Sequence, residues 1–261
     1  MSDSFVWPDG KRCAVCLTFD DARLSQVDRG LPILDRHGVK ATFYVSPGNV
    51  GQRLTGWKAA VAAGHEIGNH TVNHPCTANF CWSRANALED YTLSRMRQEL
   101  LQANDMIRAS LGVTPVTFAY PCGQTYLGRG RNTVSYVPLV AELFRVGRCF
   151  LNETHNDPAF CDLAQTLAAP LDGKTLGEVE PLLRQAKETG GWLIFAGHEV
   201  GDEGRQTTLA DTLDSLCRYA SAPDSGVWMD TAAAVGAYIA ETLATASPHP
   251  GPLPQRAREG R

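Results

Sequence analysis

Two carboxylates, Asp20 and Asp21, stand side by side directly behind the apolar run Cys13–Phe19. Carboxylates are almost never fully buried without a partner, so a pair at the inner end of a core strand calls for a counter-charge or a metal ion. Further along, His70 and His74 are four residues apart. On a helical turn that separation places two imidazoles on one face, where they can grip one ion at about 2.0–2.1 Å. Asp21, arriving from another strand, completes three protein ligands and leaves an open position for water, the arrangement of a catalytic site. Asp20 is then placed to act as a base toward that water. His198, whose imidazole titrates near neutral pH, is placed as the acid opposite it. Taken singly these residues have ordinary readings: Asp at a turn or N-cap, His in a polar loop or bonded to core backbone. What separates the two readings is where the elements put them.

Strand-like runs alternate with helical patterns almost throughout. The strands read as Cys13–Phe19, Lys40–Ser46, His65–Asn69, Pro115–Tyr120, Gly147–Leu151, Trp192–Ala196 and Val227–Met229, with an eighth near Leu167–Leu171. Between them, helical spacing covers Leu24–His37, Trp57–Ala63, Asn86–Leu111, Val137–Arg145, Thr175–Thr189, Thr207–Ala220 and Thr231–Leu243, several of them stopped by glycine. Such alternation predicts a parallel sheet with helices outside. The expected fold is an α/β, distorted (β/α) barrel of seven or eight parallel strands. No GxGxxG follows the first strand, which removes support for a dinucleotide-binding fold. In a parallel barrel, function collects at the C-terminal ends of the strands. Asp20-Asp21, His70 to His74, Pro121-Cys122-Gly123 and Gly197-His198 each follow a different strand and so converge on one face.

The remaining features bound the function. Hydrophobic content of 43% and charged content of 20% are ordinary for a globular chain. A formal net charge of −4 argues against a nucleic-acid surface. No apolar run approaches membrane-helix length, and Met1-Ser2-Asp3-Ser4-Phe5 lacks the layout of a signal peptide, so the sequence reads as cytoplasmic, with no membrane partner. The eight cysteines read as reduced, mostly buried small hydrophobes. Cys13 and Cys16 match a CxxC spacing, yet in a strand they face opposite sides and are not expected to share a metal. Tyr126–Ser135 reads as a polar loop. Residues 1–243 read as one catalytic domain, and 244–261, with four prolines in seven residues, as a disordered Pro- and Arg-rich tail.

In these motifs the chain resembles the polysaccharide deacetylases, the NodB-homology carbohydrate esterases of family 4. Thr18-Phe19-Asp20-Asp21 matches the first motif of that family, and His70-Thr71-Val72-Asn73-His74 its H-[ST]-x-x-H motif. Phe118 to Gly123 lies where the family has a strand ending in a Pro–aromatic–Gly loop, and Ile194 to Glu199 where a hydrophobic strand ends in a catalytic His. The resemblance implies that Asp21, His70 and His74 bind one divalent ion, commonly zinc, with cobalt, nickel or manganese as other candidates. It implies Asp20 as the base, His198 as the acid, and Pro121, Cys122 and Gly123 as the oxyanion and substrate loop, with the Cys122 N–H as donor. The implied reaction is removal of an N- or O-acetyl group from a carbohydrate. Two alternatives are a hydrolase of a small amide or cyclic imide on the same scaffold and a non-catalytic carbohydrate-binding relative. The sequence departs from the family where Ala119 stands in place of an Arg that pairs with the catalytic Asp. Arg129, Arg131, Arg145 and Arg148 are candidates to replace it. The family's Asp-x-x-Asp-Trp motif is also missing, and Asp157, Asp162 and Asp172 are candidates to hold His198 protonated.

Overall fold

The structure, a computed structural model, describes residues 5–245. Its centre is an eight-stranded sheet formed by β1 (Cys13–Asp20), β2 (Thr42–Val45), β3 (Glu66–Asn69), β4 (Thr117–Ala119), β5 (Val146–Arg148), β6 (Ala169–Pro170), β7 (Trp192–Gly197) and β8 (Val227–Met229). All neighbours are parallel, in the order β5-β4-β3-β2-β1-β7-β6, with β8 beside the first half of β1. Thr166, just before β6, bridges in parallel to Arg148 on β5, so the two ends of the order meet and the sheet curls into a distorted (β/α) barrel. The short β6 lies within the stretch expected as an eighth strand.

The alternation of β1 builds the two sides of the wall. Cys13, Val15, Leu17 and Phe19 belong to the layer packed under the helices, whereas Ala14 and Cys16 join the inner cluster with Trp192, Ile194 and Ala196. Cys13 and Cys16 are thus on opposite faces, as their spacing requires. On the outer side Phe19 stacks on Phe43 at 5.5 Å between centroids, and Phe43 meets Trp57 edge-on at 5.2 Å. By the same alternation Thr18 and Asp20 continue the inner face. The long helix Leu93–Leu111 starts where the Thr92 side chain accepts from the Arg95 N–H and ends at Gly112, which has φ 75°. It begins seven residues later than the sequence suggests, because residues 81–90 form short 3-10 turns instead.

Three further expectations are corrected. The first helical stretch is a π turn, Gln26–Gly30, followed by Leu31–Arg36. Pro32 has no N–H to give to the carbonyl of Asp28, and the backbone widens there. The segment expected as a polar loop is an antiparallel ribbon, Tyr126–Leu127 against Val134–Ser135, anchored by the buried Leu127. The closing helix runs Ala232–Thr245, so Ala244 and Thr245 are helical and the rest of the expected tail lies outside the described residues. Among the described residues no helix is long and apolar enough to cross a membrane.

Candidate active site

The C-terminal ends of β1, β3, β4 and β7 bring the expected groups together. β1 ends at Asp20, and the next two residues are left-handed, Asp21 at φ 76° and Ala22 at φ 54°. That turn lets adjacent carboxylates point into one site although adjacent side chains of a strand diverge. The turn is pinned by Asp21 N–H to the Tyr44 carbonyl at 2.9 Å and by Asn49 Nδ2 to the Asp21 carbonyl at 2.8 Å. The buried Gln26 amide donates to the carbonyls of Asp20 and His198 at 2.6 and 2.8 Å, tying the end of β1 to the end of β7.

His70 and His74 meet in a different way from the one their spacing suggests. Residues 70–74 are not helical, and Thr71 (φ 63°) and His74 (φ 47°) are left-handed. Side chains hold this bend: Asn69 Oδ1 accepts from Thr71 N–H, and Thr71 Oγ1 accepts from His74 N–H. Glu99 reaches over from the long helix and accepts from the N–H groups of Val72 and Asn73 and from the Asn73 amide. The rings sit 4.8 Å apart between centroids. His70 Nδ1 lies 2.8 Å from the Ala119 carbonyl, which makes Nδ1 the protonated nitrogen and leaves the Nε2 lone pair free. The Nε2 atoms of His70 and His74 are 3.6 and 3.5 Å from Asp21 Oδ1.

These three side chains form a compact donor set whose ligand atoms all lie within 4.8 Å of one another. The electrostatics suit a cation. Burial, and then the neighbouring His70, bring His74 down to about 4, so it is neutral with its lone pair available. Burial raises the Asp21 carboxyl, but His70, His74, His198 and Arg23 together outweigh it and hold it below the usual range. Arg23 donates from Nε and Nη2 to Asp21 Oδ2 at 3.1 and 2.9 Å, which leaves Oδ1 to face the imidazoles. Arg23 also lies 3.7 Å from Glu199, whose carboxylate takes a hydrogen bond from Ser25.

Asp20 has a separate environment. Arg148 Nη2 sits 2.5 and 2.6 Å from its two oxygens, and both side chains are almost wholly buried. Burial raises the Asp20 carboxyl, and Arg148, followed by His70 and His198, more than offsets that, so Asp20 stays ionised. Of the four arginines considered, the structure therefore selects Arg148. Ala119 and Arg148 are register partners on β4 and β5, so the guanidinium comes from one strand beside the position where the family carries its Arg. Arg148 also lies over the Tyr44 ring at 5.0 Å.

Across the site, His198 Nδ1 is 2.6 Å from Asp172 Oδ2, while Asp172 Oδ1 accepts from His198 N–H and Thr208 Oγ1. Burial lowers the His198 imidazole, but the Asp172 hydrogen bond and the charges of Asp20, Asp172 and Asp21 raise it above its ordinary value. Of the three carboxylates considered, Asp172 is the partner. Gly197 is needed for this approach, since a Cβ there would lie 2.1 Å from Thr208 Oγ1.

Pro121-Cys122-Gly123 forms a tight turn after β4, with Cys122 left-handed at φ 54°. A Cβ on Gly123 would lie 2.8 Å from the Phe150 nitrogen, so the turn is pressed against the chain after β5. Cys122 is bonded to Cys76, against the expectation of eight reduced thiols. The other six cysteines are free, three of them buried. The signal for the pair is positional: Cys76 stands two residues after His74 and Cys122 inside the turn, and neither belongs to an apolar run. Arg23, Gln26 and Glu99 had no such signal, because only the folded chain brings them to the site.

Residues 8–137 match the family model for polysaccharide deacetylase. Over that segment the chain belongs to the polysaccharide deacetylase family. It is 31% identical over 110 residues to the peptidoglycan-N-acetylglucosamine deacetylase PgdA of Listeria monocytogenes, covering 42% of this chain and 21% of that protein. A Mycobacterium smegmatis structure ascribed to the polysaccharide deacetylases superposes with a TM-score of 0.66 at 19% identity, covering 92% of this chain and 94% of that one. A cobalt-bound family 4 acetyl xylan esterase from Clostridium thermocellum does so with a TM-score of 0.57 at 21% identity, covering 86% and 91%. The chain spans no more than 27% of the length of the first curated relatives it matches. At these identities the structural likeness establishes the fold of this deacetylase-family chain.

Proposed function

We propose that the protein is a metal-dependent deacetylase that hydrolyses an N- or O-acetyl group on a carbohydrate. The observation that carries this reading is the division of labour between adjacent carboxylates: Asp21 shares its site with two imidazoles, and Asp20 shares its own with a guanidinium. Asp21, His70 and His74 would hold one divalent ion, and the mixed N/O donor set suits zinc, with cobalt, nickel or manganese as other occupants. When bound, the ion supplies Lewis acidity, polarising the acetyl carbonyl and easing deprotonation of the attacking water. Asp20, kept ionised by Arg148, takes the proton of that water. The Cys122 N–H donates to the acetyl oxygen as it gains negative charge, and one such donor is worth about 2.7–4 kcal/mol. His198, kept protonated by Asp172, gives its proton to the departing nitrogen or oxygen of the sugar. Residues 1–243 act as one catalytic unit in this reading. The Cys76–Cys122 bond favours an oxidising compartment over the cytoplasmic location read from the sequence.

The deciding experiment is acetate release by the zinc-loaded protein from chitin oligomers, acetylxylan, peptidoglycan fragments and small N-acetyl or imide compounds. Release from a carbohydrate that stops on chelation and returns with zinc is the expected result. Full activity in the chelated sample, or turnover of the imides alone, overturns it.

A further inference from the structure

The turn that carries Cys122 is fastened by a covalent bond to the loop that carries His74, and this has a consequence for turnover. Cys76 is a firm anchor. It is fully buried, its N–H donates to Ser83 Oγ at 2.8 Å, and its carbonyl accepts from Ser83 Oγ at 2.9 Å and Leu88 N–H at 3.0 Å. Cys122 is the strained partner, a non-glycine residue at φ 54° and ψ 15°. Such a conformation persists only where its surroundings over-determine it. The noncovalent restraints act on its neighbours: Tyr120 N–H to the Arg148 carbonyl, Gly123 N–H to the Tyr120 carbonyl, Gly123 against Phe150, and Thr77 N–H to Gln124 Oε1. The restraint on the Cys122 side chain is the bond to Cys76, which joins chain positions 46 residues apart. Cys76 Sγ also lies 3.7 Å from His74 Nδ1, on the side of the ring away from Asp21.

We propose that Cys76 and Cys122 are positioning residues: their disulfide holds the Pro121–Gly123 turn in the shape that presents the Cys122 N–H to the reacting carbonyl, so turnover depends on the bond being closed. The inference rests on the deacetylase reading above. Opening the bond frees Cys122 to leave the left-handed region, which reorients the peptide N–H at that position while Asp21, His70 and His74 keep their own supports. Cys122 is only half-buried, so a small reductant can reach it. With a phosphine, phosphorus attacks one Sγ and the S–S bond breaks. The other Sγ departs as thiolate and takes a proton. Water then releases the second thiol and the phosphine oxide, so phosphorus loses the two electrons that the disulfide gains.

The test compares the zinc-loaded full chain before and after treatment with tris(2-carboxyethyl)phosphine, and again after reoxidation with glutathione disulfide. Thiols are counted by alkylation and intact mass, and zinc per chain is measured alongside kcat and KM for acetate release. Reduction should expose two further thiols and lower kcat at least tenfold. KM should stay within about twofold and zinc content unchanged, and reoxidation should restore the rate. The Cys76→Ser/Cys122→Ser variant should start at the reduced rate and ignore the phosphine. Hydrogen exchange reads the same event without turnover: protection over residues 121–128 should fall on reduction while that of β1 holds. A reduced protein with full kcat, unchanged exchange at 121–128, or a rate loss cured by adding zinc overturns the proposal. Absence of acetate release from the oxidised protein on every substrate instead sinks the deacetylase reading, and the exchange measurement then decides the role of the bond by itself.

Discussion

Arg148 Nη2 lies 2.5 and 2.6 Å from the two carboxylate oxygens of Asp20, although β5 and β1 are separated by three other strands. Only the barrel interior lets these residues touch, so the pair fixes both the curl of the sheet and the charge of the candidate base. Removing one member leaves a buried charge without its partner, at a cost of about 3–5 kcal/mol. Arg148→Met should therefore lower the thermal midpoint, raise the Asp20 pKa and reduce kcat about 10²-fold through misplacement of the carboxylate. Because Ala119 is the register partner of Arg148, returning the guanidinium to that strand in an Ala119→Arg/Arg148→Ala variant should recover part of the rate. A Met variant with unchanged stability and rate would show that the pair contributes neither.

The second pair, His198 and Asp172, sets a pH limb. The folded imidazole stands above its ordinary pKa because Asp172 and the site carboxylates outweigh burial. In the proposed reaction its protonated form is the proton donor, so activity should be retained at low pH on this limb and lost as pH rises through the raised folded value. The stability contributed by the pair follows the same sign: it is complete below the unfolded pKa and vanishes above the folded one. Asp172→Asn removes the leading cause of the raised value and leaves burial to act. The alkaline limb of the kcat/KM profile should move to lower pH, and a limb that stays in place would transfer the acid role elsewhere.

Much of this site was legible in the sequence because its signals are local. Asp20-Asp21 follow the seven-residue run Cys13–Phe19, and His198 follows the five-residue run Trp192–Ala196 and one glycine; a parallel α/β pattern sends such junctions to one face. Partner choice was not legible, because it depends on register and curl. By sequence four arginines fit the place of Arg148, and the register of β4 with β5 selects it; three aspartates fit the place of Asp172, and the position of β6 beside β7 selects it. The helical geometry expected for His70 to His74 failed for a local reason: Asn69, Thr71 and Glu99 satisfy the backbone N–H groups of that bend with side chains, so no helical ladder is needed. The disulfide stayed hidden because eight cysteines in a chain without an evident export signal read as buried thiols.

Glu99 offers a test of how the ligand loop is built. Its two oxygens accept from Val72 N–H, Asn73 N–H and Asn73 Nδ2, and it is 5% exposed. Glu99→Gln substitutes an amide that can accept through one oxygen only and presents two donors to donors. Supports behind metal ligands are commonly worth 10–100-fold in affinity. Zinc affinity measured by competition with a chromophoric chelator should weaken by about that factor, with kcat at saturating zinc within about threefold of the parent. A loss of kcat at saturating zinc with unchanged affinity would place Glu99 in the chemistry instead of the scaffold.

The two adjacent carboxylates should separate cleanly by mutation. On the proposed reading Asp20→Asn removes the base while Asp21, His70 and His74 remain, so zinc should stay near one ion per chain as turnover falls by about 10²–10⁴-fold. The asparagine also leaves Arg148 without an anion, so the thermal midpoint is read in the same samples to distinguish a lost base from a lost fold. His74→Ala removes one of three donors, and the ion should be stripped on dialysis at ordinary buffer zinc, with activity lost in proportion. The decisive measurement is zinc content by atomic emission alongside rate. If Asp20→Asn loses its zinc while remaining folded, Asp20 is a ligand, and the base must be sought among the remaining groups that line the site.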